Sequence, residues 1–259
     1  MSDQARSKEV AVICGGTAGI GLASAKALLA DGVGHIMLVG RNPARGVAAR
    51  NSLQQAAPGA DIRFTPADLA QPTQAAAAIE ASIAAFGRID TLLSGAGGDP
   101  LPRLLHDTPL EDVQQIIGSL TSSVLLPVRA ALPHMMAQKT GTILCIASDA
   151  GKVATPGEVC IGAAMAAIAM FCRALAIEAK RNGVRVNCLT PSIVRDTPLY
   201  HTLMADPFAG KLFAKAESLA RLGVVSPDDL AALVVFLSSP AAARLTGQTI
   251  SVNGGISAA

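Results

Sequence analysis

Val10-Ala11-Val12-Ile13-Cys14-Gly15-Gly16-Thr17-Ala18-Gly19-Ile20-Gly21 decides the fold. It opens as an unbroken apolar run of strand length, the mark of a strand buried on both faces. The run empties into a glycine turn, and a helical pattern follows from Leu22 through Ala25, Leu28 and Leu29. Strand, glycine turn, helix aims backbone N–H groups and the positive end of a helix at one point, which suits an anion. Gly15 allows the tight turn. Gly19 and Gly21 let a pyrophosphate approach the backbone and let the helix pack close to the strand. The spacing is G-x-x-x-G-x-G, not the commoner G-x-G-x-x-G. The stretch reads as a nucleotide-binding strand–helix unit.

Further along, strand and helix patterns alternate. Strands are predicted at 36–39, 62–65, 89–93, 142–146, 184–189 and 249–252. Helices are predicted at 44–57, 72–86, 110–120, 121–138 and 158–181. Another starts at Ser226-Pro227-Asp228-Asp229, with Ser226 as N-cap, Pro227 at the first helical position and acids in the first turn. Such alternation means a central, mostly parallel seven-stranded sheet with helices on both faces, a single doubly wound Rossmann-type α/β domain over 1–259. Right-handed crossovers put the C-terminal ends of all strands on one edge, where ligands bind. The segment 195–222 carries no strand pattern and is read as a partly helical lid.

Composition excludes several classes. A net charge of +2 without a lysine/arginine run, and 3% aromatic residues, argue against a nucleic-acid surface. The cysteines at 14, 145, 160, 172 and 188 form no C-x-x-C pair, so neither a disulfide framework nor a zinc site is indicated. The polar start Met1 to Glu9 does not read as a signal peptide. No apolar run reads as long enough to span a bilayer, the richest stopping at Arg173. A cytoplasmic protein with a small-molecule substrate, no metal, and no nucleic-acid or membrane partner is the expectation.

The chain resembles the short-chain dehydrogenase/reductase family, through Cys14 to Gly21, Asp68-Leu69, Ala96-Gly97, Ala130-Ala131-Leu132-Pro133, Gly183-Val184-Arg185-Val186-Asn187, Thr197-Pro198, Thr246-Gly247-Gln248-Thr249 and Asn253-Gly254-Gly255. The resemblance implies a nicotinamide cofactor held by Gly15, Thr17, Gly19, Ile20, Gly21, Arg41, Asp68, Leu69, Gly95, Ala96, Gly97, Pro191 and Ile193. Asp68 would meet the adenine ring. Ser94 and Gly95 depart from the family's Asn-Asn-Ala-Gly turn. Position 40, at the end of the second strand, is Gly and not the acid that grips a ribose diol. Arg41 follows, a permanent cation suited to phosphate, which favours NADP(H) over NAD(H). The resemblance also implies a homodimer or homotetramer, and the small-residue face of helix 158–181 permits close packing between subunits.

The catalytic positions are where the chain departs. The family uses an Asn, a Ser, a Tyr that moves the proton and a Lys that tunes the Tyr. Ser148 follows the fifth strand as the family's Ser does, but the Tyr and Lys positions fall at Ile161 and Met165, and the Asn position at Leu120. The chain therefore reads as a divergent member with a degenerate tetrad in which only Ser148 is kept. Substitutes are Glu158, one helical turn before Ile161, and Tyr200, which a lid would lower toward a ligand. Set beside these are bland readings: Glu158 complementing a helix dipole, Tyr200 anchoring the lid, and Asp149 and Lys152 as solvated loop charges. Three functions follow. The first is an NADP(H)-dependent oxidoreductase acting on a small apolar carbonyl or alcohol. The second is a lyase, hydratase or isomerase on the same scaffold. The third is an inactive cofactor-binding partner.

Overall fold

The apolar run Val10–Cys14 is strand β1, buried along its whole length. The structure, a computed structural model, describes residues 6–98 and 100–259. Met1 to Ala5, part of the polar start discussed above, lie outside the described residues. The other strands are β2 (His35–Gly40), β3 (Asp61–Pro66), β4 (Thr91–Ser94), β5 (Gly141–Ile146), β6 (Val184–Pro191) and β7 (Thr249–Val252). They form one sheet in the order β3-β2-β1-β4-β5-β6-β7, and every pairing is parallel. The sequence led to a mostly parallel sheet; the sheet is wholly so. Chain direction across the sheet reverses between β1 and β4. A crevice therefore opens beyond their C-terminal ends.

The helices are α1 (Gly19–Ala30), α2 (Pro43–Ala56), α3 (Pro72–Phe86), α4 (Leu110–Gln138), α5 (Val159–Ala179), α6 (Pro198–Ala205), α7 (Pro207–Leu219) and α8 (Pro227–Ser238). Side chains alternate along β1, so Val12 and Cys14 join one core and Ala11 and Ile13 the other. The first core lies under α3, α4 and α5, the second under α1, α2 and α8. A third, small cluster of Ile193, Leu203, Ala209 and Phe213 holds α6 and α7 together above the strand ends. Ser226 starts α8 as expected, its backbone N–H donating to Asp229 at 2.7 Å.

Several expectations need correction. The two helices predicted at 110–120 and 121–138 are one, α4. The polar side chains where the two ranges meet are satisfied within the helix. Ser119, Thr121 and Ser123 each donate a side-chain hydroxyl to a carbonyl one turn back, at 3.3, 2.8 and 3.1 Å. Strand β4 starts at Thr91, not at 89, although Asp90 already bonds to both neighbours, its N–H donating to the Val10 carbonyl and its carbonyl accepting from the Thr142 N–H. The Ile89 N–H donates to Gln138, and the Asp90 carboxylate accepts from Val10 N–H and Arg88. Two helical stretches, Leu110–Gln138 and Val159–Asn182, are after all long and apolar enough to cross a membrane by length and composition. Here each lays one face on the sheet, burying Val124, Val128 and Met135 from α4 and Ile168, Cys172 and Leu175 from α5. The segment read as a lid is helical over most of its length, as α6 and α7.

Candidate functional site

The turn after β1 is built from backbone that side chains would obstruct. Gly15 and Gly19 have φ of 84° and 51°, in the left-handed region. A Cβ on Gly21 would lie 2.4 Å from the Gly15 carbonyl oxygen, so α1 can start this close to the turn only with glycine there. Ala18, the N-cap of α1, offers no side-chain acceptor, and the first turn carries no acid. Among the described residues no side chain caps that helix end, which leaves its leading N–H groups open to an anion.

This turn forms one end of a cleft of about 1120 Å³ along the C-terminal edge of the sheet. Gly15, Thr17, Gly19, Ile20 and Gly21 line it from β1 and α1. Arg41 lines it from the end of β2, Asp68 and Leu69 from beyond β3, and Gly95, Ala96 and Gly97 from beyond β4. Pro191 and Ile193 close it from the end of β6. The sequence-predicted cofactor residues thus share one cavity. Arg41 is exposed and its guanidinium donates to the Gly97 carbonyl at 3.5 Å. Arg45, on the first turn of α2, lines the same end; it was missed, although it stands one helical turn from Arg41. A Cβ on Gly40 would lie 2.8 Å from Thr17 Cγ2, so the position that would hold an acid has no space for one.

Toward the middle of the cleft lie Ser148, Glu158, Ile161 and Met165. Ser148 caps a short turn, Asp149–Gly151, its Oγ accepting from the Ala150 N–H at 3.2 Å. Ile161 and Met165 are one turn apart on α5 and both face the cleft. Leu120, on α4, is buried and also lines it. Beside Leu120, Ser119, Ser122 and Gln115 add polar lining that the sequence reading passed over. Glu158 is the N-cap of α5 rather than a first-turn residue, and it makes no side-chain cap bond. Burial pushes its carboxyl up to about 7, against a hydrogen bond from Thr155 that pulls the other way.

Two further expectations change. Asp149 and Lys152 are not solvated loop charges: their side chains are 7% and 11% exposed. The Asp149 carboxylate accepts from Asn253 Nδ2 and, at 2.8 Å, from Ser257 Oγ, and it faces Lys152 Nζ at 3.7 Å. Lys152 also donates to Ser251 Oγ. The knot fastens the residues beyond β7 to the turn that Ser148 begins. Tyr200 lines the cleft, but its hydroxyl donates to Glu217 Oε1 at 2.9 Å, and this bond raises the phenol's pKa. Its ring meets His201 edge-on at 5.7 Å. Tyr200 thereby ties α6 to α7.

Comparison with known proteins agrees with this architecture. Residues 15–257 match the family model described as enoyl-(acyl carrier protein) reductase. A 3-oxoacyl-(acyl-carrier-protein) reductase of Synechocystis is 33% identical over 251 residues, 96% of each chain. The NADPH-bound structure of a short-chain oxidoreductase from Pseudomonas aeruginosa, described as containing an atypical catalytic center, is 30% identical, with a TM-score of 0.88 over 97% of each chain. A 3-ketoacyl-(acyl-carrier-protein) reductase of Brucella melitensis, complexed with NADH, is 27% identical with a TM-score of 0.84, over 96% of this chain and 98% of that one. The chain belongs to the short-chain dehydrogenase/reductase family. It is an oxidoreductase-like member of that family.

Proposed function

We propose that the protein is an NADP(H)-binding oxidoreductase whose proton-transfer group is not the family's tyrosine. Its substrate is an apolar carbonyl or the corresponding alcohol. The observation that carries this reading is the stretch Glu158 to Met165. Ile161 and Met165, at the family's Tyr and Lys positions, line the cleft, and a half-protonated carboxyl stands one turn before them. Neither aliphatic side chain exchanges a proton. Glu158 does so near neutral pH, where a general acid and its conjugate base are both populated. Ser148, on the facing turn, is a hydroxyl for the substrate oxygen. Tyr200, the replacement favoured by the sequence, is set aside because Glu217 engages its hydroxyl.

The cofactor preference is supported by the glycine turn with its uncapped helix end, by Arg41 and Arg45 on the lining, and by the absence of space for an acid at position 40. The turn would take the pyrophosphate, and the guanidinium forks would take a 2′-phosphate. When bound, the nicotinamide supplies or accepts the hydride. We further propose a homodimer or homotetramer, supported by Met170 and Ile177, apolar side chains left exposed on α5.

Calorimetric titration of NADPH and NADH, followed by nicotinamide absorbance with a panel of ketones and alcohols, tests the reading. Tighter binding of NADPH and substrate-dependent absorbance change are expected. Failure to bind either nucleotide would overturn the cofactor assignment. Product formed without an absorbance change would move the protein to the lyases, hydratases or isomerases. Binding without turnover would make it a cofactor-holding partner.

A further inference from the structure

We infer that the substrate site does not end at Ile161 but continues into a second chamber that takes the apolar tail of an elongated substrate. This rests on the reading that the reacting carbonyl lies in the main cleft. A cavity of about 500 Å³ opens between the stretch from Pro100 to Thr108, the start of α4 and the start of α5. Its lining and that of the cleft have Gly98, Pro100, Gln115, Ser119 and Ile161 in common, so the two spaces meet there. Ile161 is therefore a doorway residue, and with Pro100 it gives the doorway an apolar side opposite the polar Gln115 and Ser119.

The walls beyond the doorway are Leu101, Leu105, Ile116 and Val159. Leu101, Leu105 and Val159 are 38%, 49% and 52% exposed, apolar surface whose cover releases water. Among the described lining residues the charged ones, Arg103 and Asp112, are opposite in sign, so they offer an ionic tail no matched excess of charge. Its shape is held from both sides. The Arg103 N–H donates to the Gly157 carbonyl at 2.8 Å. Gly157 has φ of +85°, and a Cβ there would meet the Phe208 ring at 2.5 Å. The loop after β4 is thus clamped against the turn before α5 and the second lid helix. A neutral alkyl or acyl chain, attached to a carbonyl held near Ser148 and Glu158, fits this arrangement.

The test uses 2-alkanones from 2-butanone to 2-decanone, with binding measured by calorimetry and turnover by NADPH oxidation. Val159→Trp and Leu105→Trp fill the chamber from its solvent side, where both positions tolerate a larger residue. In the wild type, affinity should rise about three- to fourfold per added methylene until the chamber is full. In either tryptophan variant the rise should stop several carbons earlier, with 2-butanone unaffected. A flat chain-length series in the wild type, or the same series in wild type and both variants, would overturn the chamber. Chain-length-dependent binding that the variants abolish, without NADPH oxidation, would uphold the chamber and sink the redox reading instead.

Discussion

Glu158 is an acid that burial has moved into the neutral range, and its two protonation states have opposite consequences. As acid it serves reduction, so the reductive rate should fall as pH rises through about 7. Glu158→Gln should abolish that inflection and slow reduction by about 10²- to 10⁴-fold, read from the pH profile of kcat/KM. Stability moves in the same direction. A carboxyl raised in the folded state has its full stabilising share below its ordinary value of 4.5 and loses it as pH rises through about 7. Thermal melts of the Gln variant should therefore lack the decline seen in the wild type across that window. The other telling residue is Gly40. That it is no acid was legible in the sequence; that Thr17 forbids one was not, because the two come together only across β1 and β2. Gly40→Asp alone should weaken both nucleotides. Adding Thr17→Ala, which removes the colliding Cγ2, should restore NADH binding but not NADPH, as measured by calorimetry.

Among the elements, those marked by a compact local signal were readable, and two others were not. The apolar run of β1 and the start signals Ser226 to Asp229 of α8 are each confined to a few consecutive residues, and both elements formed as read. Helix α4 was read as two, yet Ser119, Thr121 and Ser123 at the junction satisfy their hydroxyls within one continuous helix. The Asp149–Gly151 turn misled for a longer-range reason, since its partners lie beyond β7. Removing one member of a buried charged pair strands the other, so Asp149→Ala should cost on the order of 3 kcal/mol, seen as a lower urea midpoint. The same variant should loosen the turn at Ser148, and amide exchange at Ala150 and Gly151 should quicken.

For the whole molecule, the parallel sheet and the edge on which the cleft opens followed from alternation and right-handed crossovers, while the strand order came from the fold itself. What alternation did not reveal is which helical surfaces the folded chain leaves bare. Met170 and Ile177 on α5 are 60% and 64% exposed and stand two turns apart on one stripe. Met170→Asp with Ile177→Asp should convert the proposed oligomer to monomer by light scattering while leaving the melting transition cooperative. The fastening of Asp149 by Asn253 and Ser257 bears on the order in which a newly made molecule becomes competent. Strands β1 to β6 emerge from the ribosome first and have partners waiting, but the turn that Ser148 begins acquires its brace only when the polypeptide beyond β7 has been delivered. Ligand capture is then a late event in biogenesis, and a ribosome-stalled chain halted before Asn253 would carry a nearly complete sheet with an unfinished mouth.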